Sequence, residues 1–379
     1  MDFTLSKEQK EIRQETIRFA REHLNQDEDR DQFSYDLWQE AADFGLYGLT
    51  IPEEFGGMEE SYLTAAVVTE ALGYACNNNG FVFAVNNHVW VGLNLIHLYG
   101  STYLKNKYLQ RMIQGNPIGA IAITEADAGS DAVAMRTSAE KTEDGFVLNG
   151  SKMFISNGST AGVFLVFAKT GGEKGHEITA FVVDKDTPGV YVGKDIEKMG
   201  LNSCPMAEIT FQNCRIGQES ILGKMGAGNS IMQSALEWER CYEFACHIGA
   251  MERIMERCIN YVNQRKQFGQ PISSYQGVTH KIADMKAAIE LSRLLLYKIA
   301  WMKDQHRAAY LETSIFKLTV SEAYIRTCRD AMQIFGAYGY TKEYGLENEM
   351  RDALACSIYS GTSEMQRNTI FRMSLLDVI

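Results

Sequence analysis

The stretch Ile118-Gly119-Ala120-Ile121-Ala122-Ile123-Thr124-Glu125-Ala126-Asp127-Ala128-Gly129-Ser130-Asp131 is where one kind of chain gives way to another. Its first seven residues are mostly apolar and partly β-branched. Small and acidic residues then end the run, the pattern of a strand leading into a loop. Upstream, apolar residues recur at helical spacing. Ser6 and Gln9 form a capping-box pair, with Ile12, Phe19 and Leu24 on the apolar face of the helix that follows. Segments 35–48, 61–76, 80–98 and 101–114 read as further helices. Downstream, 162–168, 178–183 and 207–211 are short strands bounded by Gly, Asp and Asn, with no helix between neighbours. That spacing predicts an antiparallel barrel or sandwich rather than a βαβ sheet. Helical patterns resume at 228–264, 275–303 and 310–336, with a last helix starting near 361. The chain is therefore expected to be α+β: an N-terminal helical domain at 1–116, a middle antiparallel β domain at 117–225 and a C-terminal four-helix bundle at 226–379.

Composition narrows the function. With 379 residues, 45% of them hydrophobic and only 5 prolines, the chain can bury a large core. A net charge of -11 argues against nucleic acid or an acidic membrane surface as partner, since phosphate binding needs concentrated basic surface. No apolar run is read as long enough to span a bilayer. The opening Met1-Asp2-Phe3-Thr4 lacks a basic region before an apolar core, so a soluble, cytoplasmic protein without a cleaved signal is expected. The 8 cysteines contain no C-x-x-C pair and read as buried reduced thiols. The 7 histidines lack metal-ligand spacing, so no metal is expected. His88 lies among polar residues in an otherwise apolar helix, Asn86-Asn87-His88-Val89-Trp90, and is a candidate for substrate contact or for a structural role.

Three clusters carry a resemblance to the acyl-CoA dehydrogenases. In Ala122–Asp131, Thr-Glu is followed after a short gap by Gly-Ser-Asp, and Gly129 permits close backbone approach. Asn149-Gly150-Ser151-Lys152-Met153-Phe154-Ile155-Ser156-Asn157-Gly158 is similar to a family segment in which an aromatic ring and a hydroxyl meet the flavin. Arg265-Lys266-Gln267-Phe268 and Gln333-Ile334-Phe335-Gly336 resemble segments that reach the FAD of a neighbouring subunit, where an arginine fork suits phosphate. The order of helices, β domain and bundle is the family's order, and the resemblance covers essentially the whole chain.

The resemblance implies FAD as cofactor, with Ile123, Thr124, Gly129 and Ser130 along the flavin and the thioester arm. Phe154 would stack on the ring, the Ser156 hydroxyl would face flavin N5, and Arg265, Phe268, Gln333, Gly336, Thr362 and Glu364 would make further cofactor contacts. It implies a thioester substrate on CoA or on an acyl or aminoacyl carrier protein, an electron-transfer flavoprotein or other acceptor, and a homotetramer built as a dimer of dimers. Ser130, Arg240, Ser360, Gly361 and His88 are the substrate-side candidates.

The catalytic base needs separate treatment. In Ser357-Ile358-Tyr359-Ser360-Gly361-Thr362-Ser363-Glu364, serine stands where the family commonly places its glutamate. Members such as isovaleryl-CoA and long-chain dehydrogenases, and prolyl-carrier-protein dehydrogenases, instead place the base on a helix before an arginine. Leu236-Glu237-Trp238-Glu239-Arg240 matches that arrangement and makes Glu239 the expected base. Glu237, about 200° away round the helix, should face elsewhere, and Glu364 is the rival. The Ser360 backbone amide would hold the thioester carbonyl. Direction of reaction stays open, as does a flavin-binding protein of this fold that serves as a structural partner.

Overall fold

The computed structural model describes residues 4–25, 31–171 and 177–376. Residues 1–3, part of the segment read for a leader, and 377–379, the end of the expected bundle, lie outside the described residues. The capping box at Ser6 forms in both directions, at 3.1 and 3.0 Å, and opens α1 (Lys7–His23). Side-chain caps from Ser34, Ser61 and Asn78 start α2 (Tyr35–Asp43), α3 (Tyr62–Ala75) and α4 (Asn79–Asn86). Through a π-turn at Asn87–Leu93, α4 continues into α5 (Asn94–Tyr99), and Ser101 caps α6 (Thr102–Ile113).

The continuous helix Asn79–Tyr99 corrects one expectation. Its 21 residues, at a mean hydropathy of 1.2, have the length and composition to cross a bilayer, contrary to the sequence reading. Of its most apolar stretch 89% is buried inside the protein, so that surface is used in the core.

In the middle of the chain β1 (Gly119–Ala122), β2 (Ser138–Lys141), β3 (Gly145–Ser156), β4 (Val163–Gly171), β5 (Glu177–Asp184), β6 (Val190–Asp195), β7 (Met206–Gly217) and β8 (Ile221–Leu222) form one sheet in the order β6-β7-β3-β2-β4-β5-β8, with β1 against β4. It is not wholly antiparallel as expected: β1 and β2 both pair with β4 in parallel. The two faces of β4 explain why its sequence is apolar throughout. Val163, Leu165 and Phe167 enter a core shared with α5, α6 and α7 (Gly228–Trp238), while Phe164, Val166 and Ala168 enter a second core with Phe146, Leu148 and Phe211.

The segment 228–264 is not one regular helix. A π-turn at Glu239–Glu243 separates α7 from α8 (Phe244–Gln264). A small hairpin, β9 (Lys266–Gln267) and β10 (Gln270–Pro271), precedes α9 (Gln276–Asp304), α10 (Tyr310–Phe335), α11 (Leu346–Ala355) and α12 (Ser363–Leu376). Helices α8, α9, α10 and α12 pack as the bundle, and α3 lies on α8. That crossing is very close: a Cβ on Gly73 would stand 1.9 Å from the Cys246 carbonyl oxygen, and one on Gly249 2.0 Å from that of Glu70. The two π-turns face each other, with the Trp90 ring stacked on Tyr242 at 3.8 Å and 18°.

Candidate active site

Glu239 and Ser360, 121 positions apart, meet: the Ser360 hydroxyl donates to Glu239 Oε1 at 2.7 Å. The chain at Ser360 is held in an unusual shape. Ser360 has φ 58 and Gly361 φ 85, two successive left-handed residues, a conformation that a non-glycine side chain adopts only under constraint. The constraint is visible. Arg240 Nε donates to the Ser360 carbonyl at 3.0 Å, and Gln366 Nε2 donates to the carbonyls of Ser360 and Gly361 at 3.2 and 2.8 Å. A Cβ at 361 would lie 3.0 Å from Gln366 Nε2, so glycine is needed for both φ and space. Just before the turn, the Tyr359 hydroxyl and His247 Nε2 are 2.7 Å apart. Among the described residues the Ser360 amide donates to no protein acceptor, which leaves it available to a carbonyl.

Glu239 is half-buried at the end of α7. Burial pushes its carboxyl above the usual carboxylate range, while the Ser360 hydroxyl and the charges of Arg240 and Lys317 pull it back. Among the described residues Lys317 has no hydrogen-bond partner, and burial brings its ammonium down to about 8. Glu237 faces elsewhere as expected, bonded to Lys303 and to the Ala309 amide.

One expectation needs correction. His88 is fully buried, its Nδ1 accepting from the Gly119 amide at 2.9 Å and its Nε2 bonded to the Met112 carbonyl at 3.0 Å. With Trp38 and Tyr47 edge-on to the ring and burial holding it down to about 4, it is a neutral structural residue with no nitrogen left for substrate. Arg240 lies buried under the Ser360 turn, and its Nε holds the Ser360 carbonyl. Glu364, the rival to Glu239, is exposed and salt-bridged to Arg367 at 3.8 Å, and its own backbone amide and the Thr362 hydroxyl lower its carboxyl, an environment opposite to that of a base.

The remaining candidates fall into two groups. Ile123 and Thr124 follow β1, and the Met153 amide donates to the Thr124 carbonyl at 2.8 Å, joining them to Phe154 and Ser156 at the end of β3. A register shift between Lys152 and Ile155 puts Phe154 at φ 60 with 55% of its surface exposed. The loop with Gly129 and Ser130 is fixed by Glu125, which accepts from the Arg136 amide at 2.6 Å, from the Thr137 amide and hydroxyl at 2.9 and 2.6 Å, and from Lys152 Nζ at 2.8 Å. Burial raises the Glu125 carboxyl, but these donors outweigh it and bring it down to about 2. The second group, Arg265, Phe268, Gln333 and Gly336, is exposed at one end of the bundle, with Arg265 over the Tyr338 ring and Phe268 against Tyr275. Thr362 caps α12 through the Met365 amide.

Several working residues escaped the sequence reading: Gln366, Lys317, Lys152, Glu125 and Glu243. Only Lys152 left a signal. Phe146, Leu148 and Lys152 share the inward parity of β3, and an inward lysine requires a carboxylate.

Comparisons with known proteins bear on the family and the fold. The acyl-CoA dehydrogenase N-terminal, middle and C-terminal domain descriptions match residues 6–116, 120–214 and 226–375. The chain is 36% identical over 377 residues to an L-prolyl-[peptidyl-carrier protein] dehydrogenase of Serratia sp., covering 98% of each. Among solved structures, the prolyl acyl carrier protein oxidase AnaB matches with a TM-score of 0.96 and 39% identity over 98% of this chain and 99% of that one. PigA with FAD and proline matches with a TM-score of 0.96 and 36% identity over 100% of both. A helix-borne glutamate facing a left-handed Ser-Gly turn, on this order of helical, β and helical regions, is thus found in a chain that belongs to the acyl-CoA dehydrogenase family.

Proposed function

We propose that the protein catalyses the FAD-dependent α,β-dehydrogenation of an acyl thioester, with Glu239 as the base. The observation that carries this reading is the Glu239 carboxyl, raised by burial and held by the Ser360 hydroxyl at a turn whose own amide donates to no protein acceptor among the described residues. FAD fits the residues present. A Cβ at Gly129 would meet nothing within 4 Å, so the chain's own packing does not require glycine there and a bound group can come close. Phe154 presents an exposed ring beside it in the first group, and Phe268, 95% exposed on its hairpin, and Arg265 offer a ring and a phosphate-binding fork in the second.

When bound, FAD supplies a hydride acceptor for the substrate β carbon. The protein's part is to hold the thioester carbonyl at the Ser360 amide, which acidifies the α proton, and to take that proton at Glu239. Ser130, exposed beyond Gly129, suits the pantetheine arm. A carrier-bound thioester is the substrate form favoured by the similarity to proteins named for prolyl carriers, with an electron-transfer flavoprotein or similar acceptor. Exposed Leu291, Leu294 and Trp301 on α9 and Phe371 and Leu375 on α12 support self-association, for which we propose a homotetramer. All eight cysteines are buried, and among the described residues no disulfide joins them, which supports a reducing compartment such as the cytoplasm.

The test is to add thioesters, on CoA and on a carrier protein, to the FAD-loaded protein without oxygen. Bleaching of the flavin by the carrier-bound form at lower concentration than by the CoA form supports the full reading, the reverse order removes the carrier, and no bleaching with any thioester overturns dehydrogenation. In Ser360→Ala the carboxylate loses a donor that favours its charged form, so its pKa rises further. The acid limb of the flavin-reduction rate should therefore move to higher pH while the rate at the alkaline plateau is retained; an unmoved limb would detach the hydroxyl from the base.

A further inference from the structure

Glu243 ends the π-turn that Glu239 begins, and its situation is unlike that of any other carboxylate described above. It is 1% exposed, and among the described residues neither carboxyl oxygen has a hydrogen-bond partner. Its polar neighbours are Glu239 and the Asn87 side chain, which approaches from the facing π-turn without closing a well-formed bond. The Asn87 Oδ1 is likewise buried and without a partner. Among the described residues, Glu239, Cys204, Cys246, Cys356 and Tyr359 interact electrostatically with Glu243 and each is an acid; His247, bonded to Tyr359 and beside Cys246 and Cys356, is brought down to about 3 by burial and brings no positive charge. A buried carboxyl with no donor and no cation costs several kcal/mol to keep ionised.

The chain has two ways out of this cost. Glu243 can keep a proton and share it with Glu239, or a positive group can come from outside. A shared proton is one donor, and it faces three unfilled acceptors: both Glu243 oxygens and Asn87 Oδ1. An ammonium brings two or three donors together with the missing charge. Its place in the substrate follows from the neighbouring base. Glu239 takes the proton of the α carbon, so a group attached to that carbon falls beside the carboxyl at the other end of the same π-turn.

We propose that Glu243, with Asn87, recognises the amine of an α-amino acyl thioester and so selects aminoacyl over plain hydrocarbon acyl groups. The proposal rests on the reading of Glu239 as the base.

The test uses FAD-loaded protein and two pantetheine thioesters of the same ring size, L-prolyl and cyclopentanecarbonyl, with binding followed by calorimetry and flavin reduction in parallel. The wild-type protein should bind the prolyl thioester at least about ten-fold more tightly. In Glu243→Leu that preference should vanish, with binding of the cyclopentane thioester kept or improved; Glu243→Gln, which retains shape and polarity, should lose part of the preference and controls for folding together with circular dichroism. Equal binding of the two thioesters by the wild type, or equal weakening of both in Glu243→Leu, overturns the proposal. If the cyclopentane thioester bleaches the flavin and the prolyl one does not bind, amine selection fails and dehydrogenation stands. If neither bleaches, dehydrogenation fails, and the binding ratio still decides whether Glu243 holds an amine.

Discussion

Replacing Glu239 by glutamine should slow reduction of bound FAD by an acyl thioester about 10³-fold or more, since a positioned general base contributes of the order of 10²–10⁴ and neither Glu237 nor Glu364 is suited to replace it. Glu237 is occupied by Lys303 and the Ala309 amide. Glu364 sits in solvent with a lowered pKa. Glutamine retains an oxygen to accept from Ser360, so the turn, the FAD content and thioester binding should be unchanged. Rapid mixing without oxygen separates these quantities, and a rate within ten-fold of wild type would place the base elsewhere.

The second large effect is on stability. Arg253 is buried on α8, with Nη1 donating to the Gly73 and Cys76 carbonyls at 2.6 Å each and Nη2 to Glu349 at 2.8 Å. Glu349 also accepts from Tyr324 at 3.0 Å and Asn79 at 2.9 Å, so the pair ties the end of α3, the start of α4 and α11 to the bundle. Glu349→Ala leaves a buried guanidinium without its counter-charge and should cost about 3–5 kcal/mol, read as a lower denaturant midpoint. Arg253→Met with Glu349→Leu should cost less than Glu349→Ala alone, because no charge is stranded; a larger cost would assign the effect to packing. The sign with pH is fixed. Burial raises the Glu349 carboxyl, but Arg253 and the donors outweigh it and hold it below its unfolded value. Its contribution is therefore present above the unfolded pKa and lost as pH falls through the folded one.

What could be read from the sequence was what is local or motif-borne. Helix starts with side-chain caps fell within a residue or two of their expected places, as at Ser6 and Ser101. Glu239 could be singled out as the candidate base because Ser360 lacks a carboxylate, and the structure brings these two positions into contact. Partners supplied by distant segments were not readable. Nothing near Arg240 announces that its guanidinium ends on the Ser360 carbonyl, and nothing near Gln366 shows that it bridges two carbonyls of the same turn. His88 misled for the same reason: its satisfaction comes from Met112 and Gly119. The π-turns have no composition signature, being set by packing such as that of Trp90 on Tyr242.

Those two turns have a consequence for how this scaffold varies over evolutionary time. A π-turn is in effect one residue added inside a helix, and removing it rotates everything beyond by about 100°. The residues at risk, Asn87 and Glu239–Glu243, include those for which proton abstraction and amine recognition are proposed. Diversification of substrate preference in such a chain can proceed by single-codon gains and losses within helices, with every loop length untouched, and lineages should differ by one-residue gaps at 87–93 and 239–243.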